Sequence, residues 1–556
     1  MAQLLITKQS VPLHETDIPI QAWVLLNQEN ELHHYLKKGP HLNMPHEIAH
    51  KHHFSLQAEI DQFFIPQLAS YLNKLHDINE SDEFWAIIIK PWLAMVVSTT
   101  YYYFLILQEL IQANKNLTVE LLELNTNWEF KDTQDFINNG RQNEAFHTFL
   151  ISALITHLFD QSINITKTIA FTPPKANFKN GYESVRDYRS RRFIKVPGIN
   201  GITELLFSAI LLFKQAKNLK ASSVLLEKKA PFLLNHSFKQ AMLLILKQCM
   251  PLAFTKNFSN FHSRAQKKHY SKGKIRIVGA ITMTFEQMKF YLAHAHKHGE
   301  ILITSQHGGN YGWHLSHWEP DHIEYRFDGF ISWGWQPSQA RTTIFPLPSP
   351  YLGQFKLKKR KPTESIILIG TELNPFLTTC FPSFHEGKKL LDYRHQKTLF
   401  IDTLSEENLK KLHYRAYPHK ETRLNDGAFL KEKFPKLQLL EGSVSTFHKA
   451  LLNTSCCVLD HLGTSLIICL AANIPFICFW NENHCDLNED GKTDLKLLKQ
   501  AGLYFNTAEE AAHTINTISC FKTWWKSKQS KLEALQKKHS LSHNWFKAYL
   551  NFIKKL

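Results

Sequence analysis

From Lys274 onward the sequence alternates short β-rich runs with helix-length segments, and this alternation restricts the fold more than any other feature. IRIVGAI is a short apolar run, FEQMKFYLAHAHKHG a helix-length segment ending in Gly299, and EILITSQ a second apolar run. Strand, helix, strand predicts a βαβ unit and hence a parallel sheet. FDGFISWGW adds a further strand with a Gly turn. A second series follows: SIILIG, a helical stretch around residues 392–412, YRAYP, LQLLEG, CCVLD and PFICFW. Strands of this length between helices predict a doubly wound sheet. The basic, Pro-rich stretch 346–362 between the two series reads as a linker.

The 556 residues correspond to roughly three to four units at ~150 residues per domain. The first ~160 residues read as mainly helical after an opening strand, Leu4 to Thr7. Ser81 is the expected N-cap of a long apolar helix bent near Pro91, too apolar to face solvent. Residues 171–201, punctuated by Pro, Gly and Asn and carrying Arg186, Arg189, Arg191 and Arg192, read as an exposed basic loop. No run reaches the ~18 consecutive apolar residues of a membrane span. TELLFSAILLF (203–213) and LIICLAANIPFICFW (466–480) read as buried core elements. No basic, then apolar, leader opens the chain, and the eight Cys lack paired C-x-x-C spacing, so a reduced, cytoplasmic protein is expected.

Lys and Arg number 65 against 49 Asp and Glu, a net charge of +16. That balance suits an anionic partner: a phosphorylated ligand, nucleic acid or an anionic membrane face. The basic residues are scattered, and no helix-turn-helix, RRM or zinc-finger pattern occurs, which argues against nucleic acid. HAHKH (294–298) puts only His294 and His298 on one helix face, with no third ligand evident, so no metal is expected.

Two turns carry the candidate chemistry. Ser305-Gln306-His307-Gly308-Gly309-Asn310-Tyr311-Gly312 follows the strand EILIT, where ligands bind an open parallel sheet. Its glycines allow close backbone approach, and His307 can exchange a proton near neutral pH. Downstream, Glu319, Asp321, Glu324 and Asp328 offer carboxylates, of which Glu319 stands nearest the Gly turn. Asp460-His461-Leu462-Gly463-Thr464-Ser465 lies between strand CCVLD and an apolar helix. There a helix N-terminus with Gly463, Thr464 and Ser465 can receive phosphate, although simple capping by Thr464 accounts for the same residues. Arg415, in LHYRAYPHKE with His413, His419 and Lys420, could meet a phosphate or carboxylate bidentately, or simply line a basic strand edge.

The chain resembles the LIC12162-type transferases of bacterial surface-carbohydrate clusters. The matching stretches are LNKLHDINESDEFWAIIIKPWL, ITSQHGGNYG with FDGFISWGWQ, LDHLGTSLIICLAANIPFICFWNENH, and the pair Trp524-Trp525. It departs from the family pattern at Asn310, at Leu466 and Ile467, and at Tyr101 to Tyr103. More remotely, the layout is similar to bacterial transferases that move Kdo-type acidic sugars from CMP donors.

The resemblance implies an α/β, GT-B-like fold: two Rossmann-like domains facing a cleft, a helical N-terminal elaboration, and C-terminal helices crossing back. The implied division is an acceptor-side domain 1–345, the linker 346–362, a nucleotide-binding domain 363–525, and returning helices 526–556. The implied activity is glycosyl transfer from a nucleotide-sugar donor to a glycan or glycolipid, without a cofactor or metal. His307 and Glu319 would act on the reacting centre and Gln306 would orient substrate. Gly308, Gly309 and Tyr311 would contact substrate, while Gly463, Thr464, Ser465, Arg415 and Asp460 would surround the nucleotide phosphate. A nucleotide-sugar epimerase or hydrolase is the alternative on the same fold, and a nucleic-acid-binding protein the alternative of another class. The expected place is the cytoplasm, at the inner face of the membrane, with weak contact to anionic lipid through the basic loop and tail.

Overall fold

The runs ILITS and GFISW are buried along their whole length, as is FICF in the second series. Strands covered on both faces need helices on both sides, which is the circumstance of a parallel sheet. The structure, a computed structural model, describes residues 2–8, 13–25, 32–40, 46–176, 194, 196–216, 223, 225, 233–279, 284–338, 342–356, 358–371, 376, 389–416, 425–539, 541 and 544–556. Arg186, Arg189, Arg191 and Arg192 of the basic loop, and His419 and Lys420, lie outside the described residues.

Among the described residues, three parallel sheets form. The first contains β1 (Ala2–Leu5), β2 (Ile18–Pro19), β3 (Leu117–Leu124) and β4 (Asn164–Phe171), ordered β2-β1-β3-β4. The second contains β5 (Ile275–Val278), β6 (Ile301–Ser305), β7 (Gly329–Trp333) and β8 (Ile344–Leu347), paired in chain order. The third is built from β9 (Ile366–Ile369), β10 (Leu412–Arg415), β11 (Gln438–Leu439), β12 (Cys456–Leu459), β13 (Phe476–Phe479) and β14 (Tyr504–Phe505).

The third sheet runs β11-β10-β9-β12-β13-β14. Counted within this half, that is the 3-2-1-4-5-6 order of a dinucleotide-binding sheet, whose ligand crevice opens where the order reverses. The reversal falls between β9 and β12, so the turn after β12 stands at the mouth of the crevice.

The architecture is α/β, as expected, with the two strand series after Lys274 each forming its own parallel sheet, and it departs from the expectation at three places. The first ~160 residues, read as helical, also supply a whole four-stranded sheet. Its strand β4 lies almost fully exposed, so no buried apolar run marked it. The stretch 346–362, read as a linker, holds the end of β8 and the helix Pro350–Lys356, with Pro at the helix's first position. Residues 203–213, read as core, form part of the helix Gly201–Leu212, and only one of its sides is buried.

The long apolar helix is Asp82–Ala113, and the Ser81 side chain accepts from the Phe84 N–H at its start. It is long and apolar enough to cross a bilayer, yet its most apolar window is wholly buried inside the protein. It is a core helix. At the other end of the chain, the helix Trp545–Lys555 lies against β8 and Gly201–Leu212, with Phe552 on Phe345 and Tyr549 on Phe207.

The two halves meet along the segment after β6. Trp313 Nε1 donates to Asp494 Oδ2 at 2.6 Å, and Asn488 N donates to the Trp313 carbonyl at 2.9 Å. Asn488 Nδ2 reaches the carbonyls of Gly312 and His314, and Leu315 N donates to Asp486 O. Gly491 makes this approach feasible, because a Cβ there would lie 2.3 Å from the Trp313 carbonyl oxygen. Both atoms belong to backbone held by other bonds, so neither yields cheaply. Gly491→Ala should therefore lower stability by about 1–3 kcal/mol in urea unfolding; an unchanged midpoint would contradict this close docking.

Candidate active site

The Gln306–Gly312 turn is shaped by its own first residue. Gln306 is buried; its Oε1 accepts from Trp333 N at 2.8 Å and Trp335 Nε1 at 2.7 Å, while Nε2 donates to Gly308 O at 2.7 Å. The amide holds the turn to β7.

His307 emerges from that turn with its ring partly open to solvent. Its Nδ1 lies 3.1 Å from Glu324 Oε1 and 2.6 Å from Tyr311 Oη, and the Tyr311 hydroxyl donates to Glu324 Oε2 at 2.6 Å. Glu324 is fully buried and Tyr311 nearly so. Burial, followed by the charges of Glu324 and Glu319, raises the Tyr311 phenol well above its usual value, so it stays protonated and donates. With that proton on the carboxylate side, Nδ1 of His307 is the donor and Nε2 carries the lone pair outward. Burial alone would lower the His307 pKa, but the hydrogen bond and charge of Glu324, with the charge of Glu319, raise it overall.

This arrangement moves the carboxylate role. Glu319 pairs with His317 at 3.3 Å, and although burial opposes ionisation, His317 and the Arg141 charge lower its pKa to about 2. Glu324 is the carboxylate at His307. Its place seventeen residues downstream, on a short 3₁₀ turn (Glu324–Arg326), is set by tertiary folding and not by any local motif. Asp321 bonds His53 at 3.1 Å and the His317 N–H at 2.7 Å, while Asp328 accepts from Leu302 N at 2.7 Å. Both tie elements together. The hydroxyl of Tyr311, expected on substrate, meets His307 and Glu324.

The second turn presses against the first. Gly309 N donates to Thr464 Oγ1 at 3.0 Å, and a Cβ on Gly309 would lie 2.4 Å from the Thr464 backbone. Thr464 is therefore not the cap of its helix. The cap position of Thr464–Ala472 is Gly463, extended in backbone, and no side chain closes the helix. The first turn of that helix is therefore without a side-chain cap, its Leu466 N–H donating to Gly463 O at 3.2 Å, and its positive dipole end lies beside the Gly309 backbone. Ser465 stands half-buried beside it.

Arg415 and Asp460, expected around the phosphate, are both bonded to protein groups. Arg415 donates from Nη1 to Leu440 O at 2.9 Å and from Nη2 to Gly442 O at 3.1 Å, and its guanidinium lies over Phe447. It fastens the loop after β11. Asp460 is buried, and its Oδ1 accepts from His461 Nδ1 at 2.7 Å, which fixes that imidazole beside Gly463. Behind β9, Lys397 and Arg394 converge on buried Asp426, and Lys397 Nζ also donates to Thr371 O at 3.3 Å. Sequence spacing left this support unseen, since its carboxylate comes from another helix. Among the described residues no group of three His, Cys, Asp or Glu could hold a metal ion, and His294, from the HAHKH run, pairs with His262 at 3.3 Å.

The His307 titration should report the Glu324 contact. With Glu324→Gln the charge that raises the His307 pKa is gone while burial remains, so the imidazole should titrate at lower pH by NMR. An unshifted His307 would break the assignment.

No curated protein matches the chain. Among solved structures there are slight overlaps. The wall teichoic acid polymerase TagF is 12% identical, with 46% of this chain and 67% of that one covered and a TM-score of 0.28. MurG of Acinetobacter baumannii is 12% identical, with 83% and 96% covered and a TM-score of 0.29. MnaA of S. aureus, solved with UDP, is 8% identical, with 74% and 91% covered and a TM-score of 0.31. Overlaps this small carry no weight for function. The model of the LIC12162 family transferases, in contrast, matches residues 5–537, taking in both turns and the second and third sheets whole. The chain belongs to the LIC12162 transferase family.

Proposed function

We propose that the protein is a glycosyltransferase that moves a sugar from a nucleotide-activated donor onto a glycan or glycolipid precursor of the bacterial surface. The observation that carries this reading is the direct seating of the His307 turn on the uncapped helix N-terminus at the reversal point of the third sheet. A proton acceptor on one turn and a phosphate receptor on the turn it touches are what displacement of a nucleotide by a hydroxyl requires.

In the proposed step the acceptor O–H gives its proton to Nε2 of His307 as the oxygen bonds to the anomeric carbon. The bond from that carbon to the donor phosphate breaks, and the nucleotide leaves with the electron pair. The helix N-terminus at Gly463, Thr464 and Ser465, with His461, meets the negative charge. Glu324 and Tyr311 keep the His307 ring in the productive tautomer and support the imidazolium that forms. The remote similarity to Kdo-type transferases makes a CMP-activated acidic sugar the first donor to test, and the net charge of +16 suits such an anionic substrate.

A panel of CMP-, UDP-, GDP- and CDP-sugars should reveal donor consumption that depends on an acceptor. His307→Ala should keep nucleotide binding and lose about 10²–10⁴-fold in turnover. Acceptor-independent conversion of donor would point to an epimerase or hydrolase, and near-normal transfer by His307→Ala would remove its role.

A further inference from the structure

The helix Gly201–Leu212 has an outward side without polar side chains. Ile202 is 82% exposed, Leu205 55%, Leu206 47% and Leu212 48%, and Phe213, which follows directly, is 86% exposed. Ala209 is exposed between them. Steps of three and four residues align these positions along one side, while Glu204, Phe207, Ser208 and Leu211 are buried on the other. Exposed apolar surface gathered in this way marks a surface made to be covered.

The rim of that surface is cationic. Phe207 stacks on Phe546 and Tyr549 of the helix Trp545–Lys555, which sets the two helices side by side. Lys214 Nζ donates to the Lys554 carbonyl at 2.6 Å, joining their C-terminal ends, and Lys547, Lys554 and Lys555 are exposed. Glu204 is the sole acidic residue of the two helices, and it is buried. A second copy of the chain would bring like charges together at this rim.

We propose that this face docks on an anionic lipid bilayer, with the apolar side of Gly201–Leu212 entering the headgroup boundary and the lysines meeting lipid phosphates. The surface belongs to the half that carries His307: Phe207 and Leu211 share a core with Ile301 and Ile303 of β6, the strand that ends at the His307 turn. Docking there would hold the acceptor side of the protein at a membrane. The inference stands on these two helices alone and does not depend on the transfer chemistry.

Co-sedimentation of the full chain with vesicles tests it. Phosphatidylglycerol–phosphatidylcholine vesicles at low salt should bind the protein well above pure phosphatidylcholine, and added salt should release it. Ile202→Glu with Phe213→Glu should reduce partitioning at least ~10-fold with an unchanged melting temperature, since both side chains are almost free of contacts. Lys547→Glu and Lys555→Glu, which leave the apolar face intact, should each cost about five-fold. Equal binding to both vesicle types, or unaltered binding by both sets of variants, would overturn the proposal. So would light scattering that shows a dimer which Phe213→Glu converts to monomer, because the face would then be a protein interface.

Discussion

A single buried carboxylate holds the candidate site together. Glu324 has no access to water, and its two oxygens are taken by His307 and Tyr311. A carboxylate taken out of water must be paired or hydrogen-bonded, or its burial is strongly unfavourable. The imidazole and the phenol meet that requirement, and in return the carboxylate fixes which ring nitrogen of His307 bears the proton. Thr304 extends the arrangement: its hydroxyl donates to the Glu324 carbonyl at 2.7 Å, tying the 3₁₀ turn to β6 itself. Strand, turn and carboxylate therefore move as one body. A histidine on a loop becomes a ring of defined tautomer and direction.

The second constraint is the absence of side chains at the meeting of the halves. Gly309 and Gly491 let backbone touch backbone, against Thr464 in one place and Trp313 in the other. The Gly-rich turn of one half thus sits on the helix start of the other, and the crevice at the sheet reversal is closed on one side by the residues that carry His307. Thr464 serves this junction through its hydroxyl, which leaves its helix start without a side-chain cap. A feature that reads as ordinary capping in sequence becomes, in three dimensions, a contact between halves.

How far the sequence foretold this depends on the range of the forces involved. The strands β5 to β7, β9, β10, β12 and β13 were legible because burial on both sides writes a short apolar run. β3 and β4 were not: β3 alternates between buried and exposed positions, and β4 is nearly all exposed. The two turns were legible because Gly clusters at strand ends have few other uses. Roles within them were less so. Gln306, Tyr311, Arg415 and Asp460 all look like ligand contacts in a line of text, yet each is engaged by protein groups brought from elsewhere. Proximity in sequence favoured Glu319 over Glu324, whereas folding brings Glu324 to His307 and leaves Glu319 with His317. The apolar stretch 203–213 misled for the opposite reason, since its hydrophobicity serves a core on one side, through Phe207 and Leu211, and an exposed surface on the other.

The central claim is that His307, held by Glu324, is the group that takes the proton. The pH dependence of kcat/KM for transfer addresses it most directly. The account predicts a rate that rises with pH through one ionisation lying above the ordinary imidazole value, as Nε2 of His307 loses its proton. A profile flat through that range, or one governed by an ionisation in the carboxylate range that vanishes in Glu319→Gln, would contradict it.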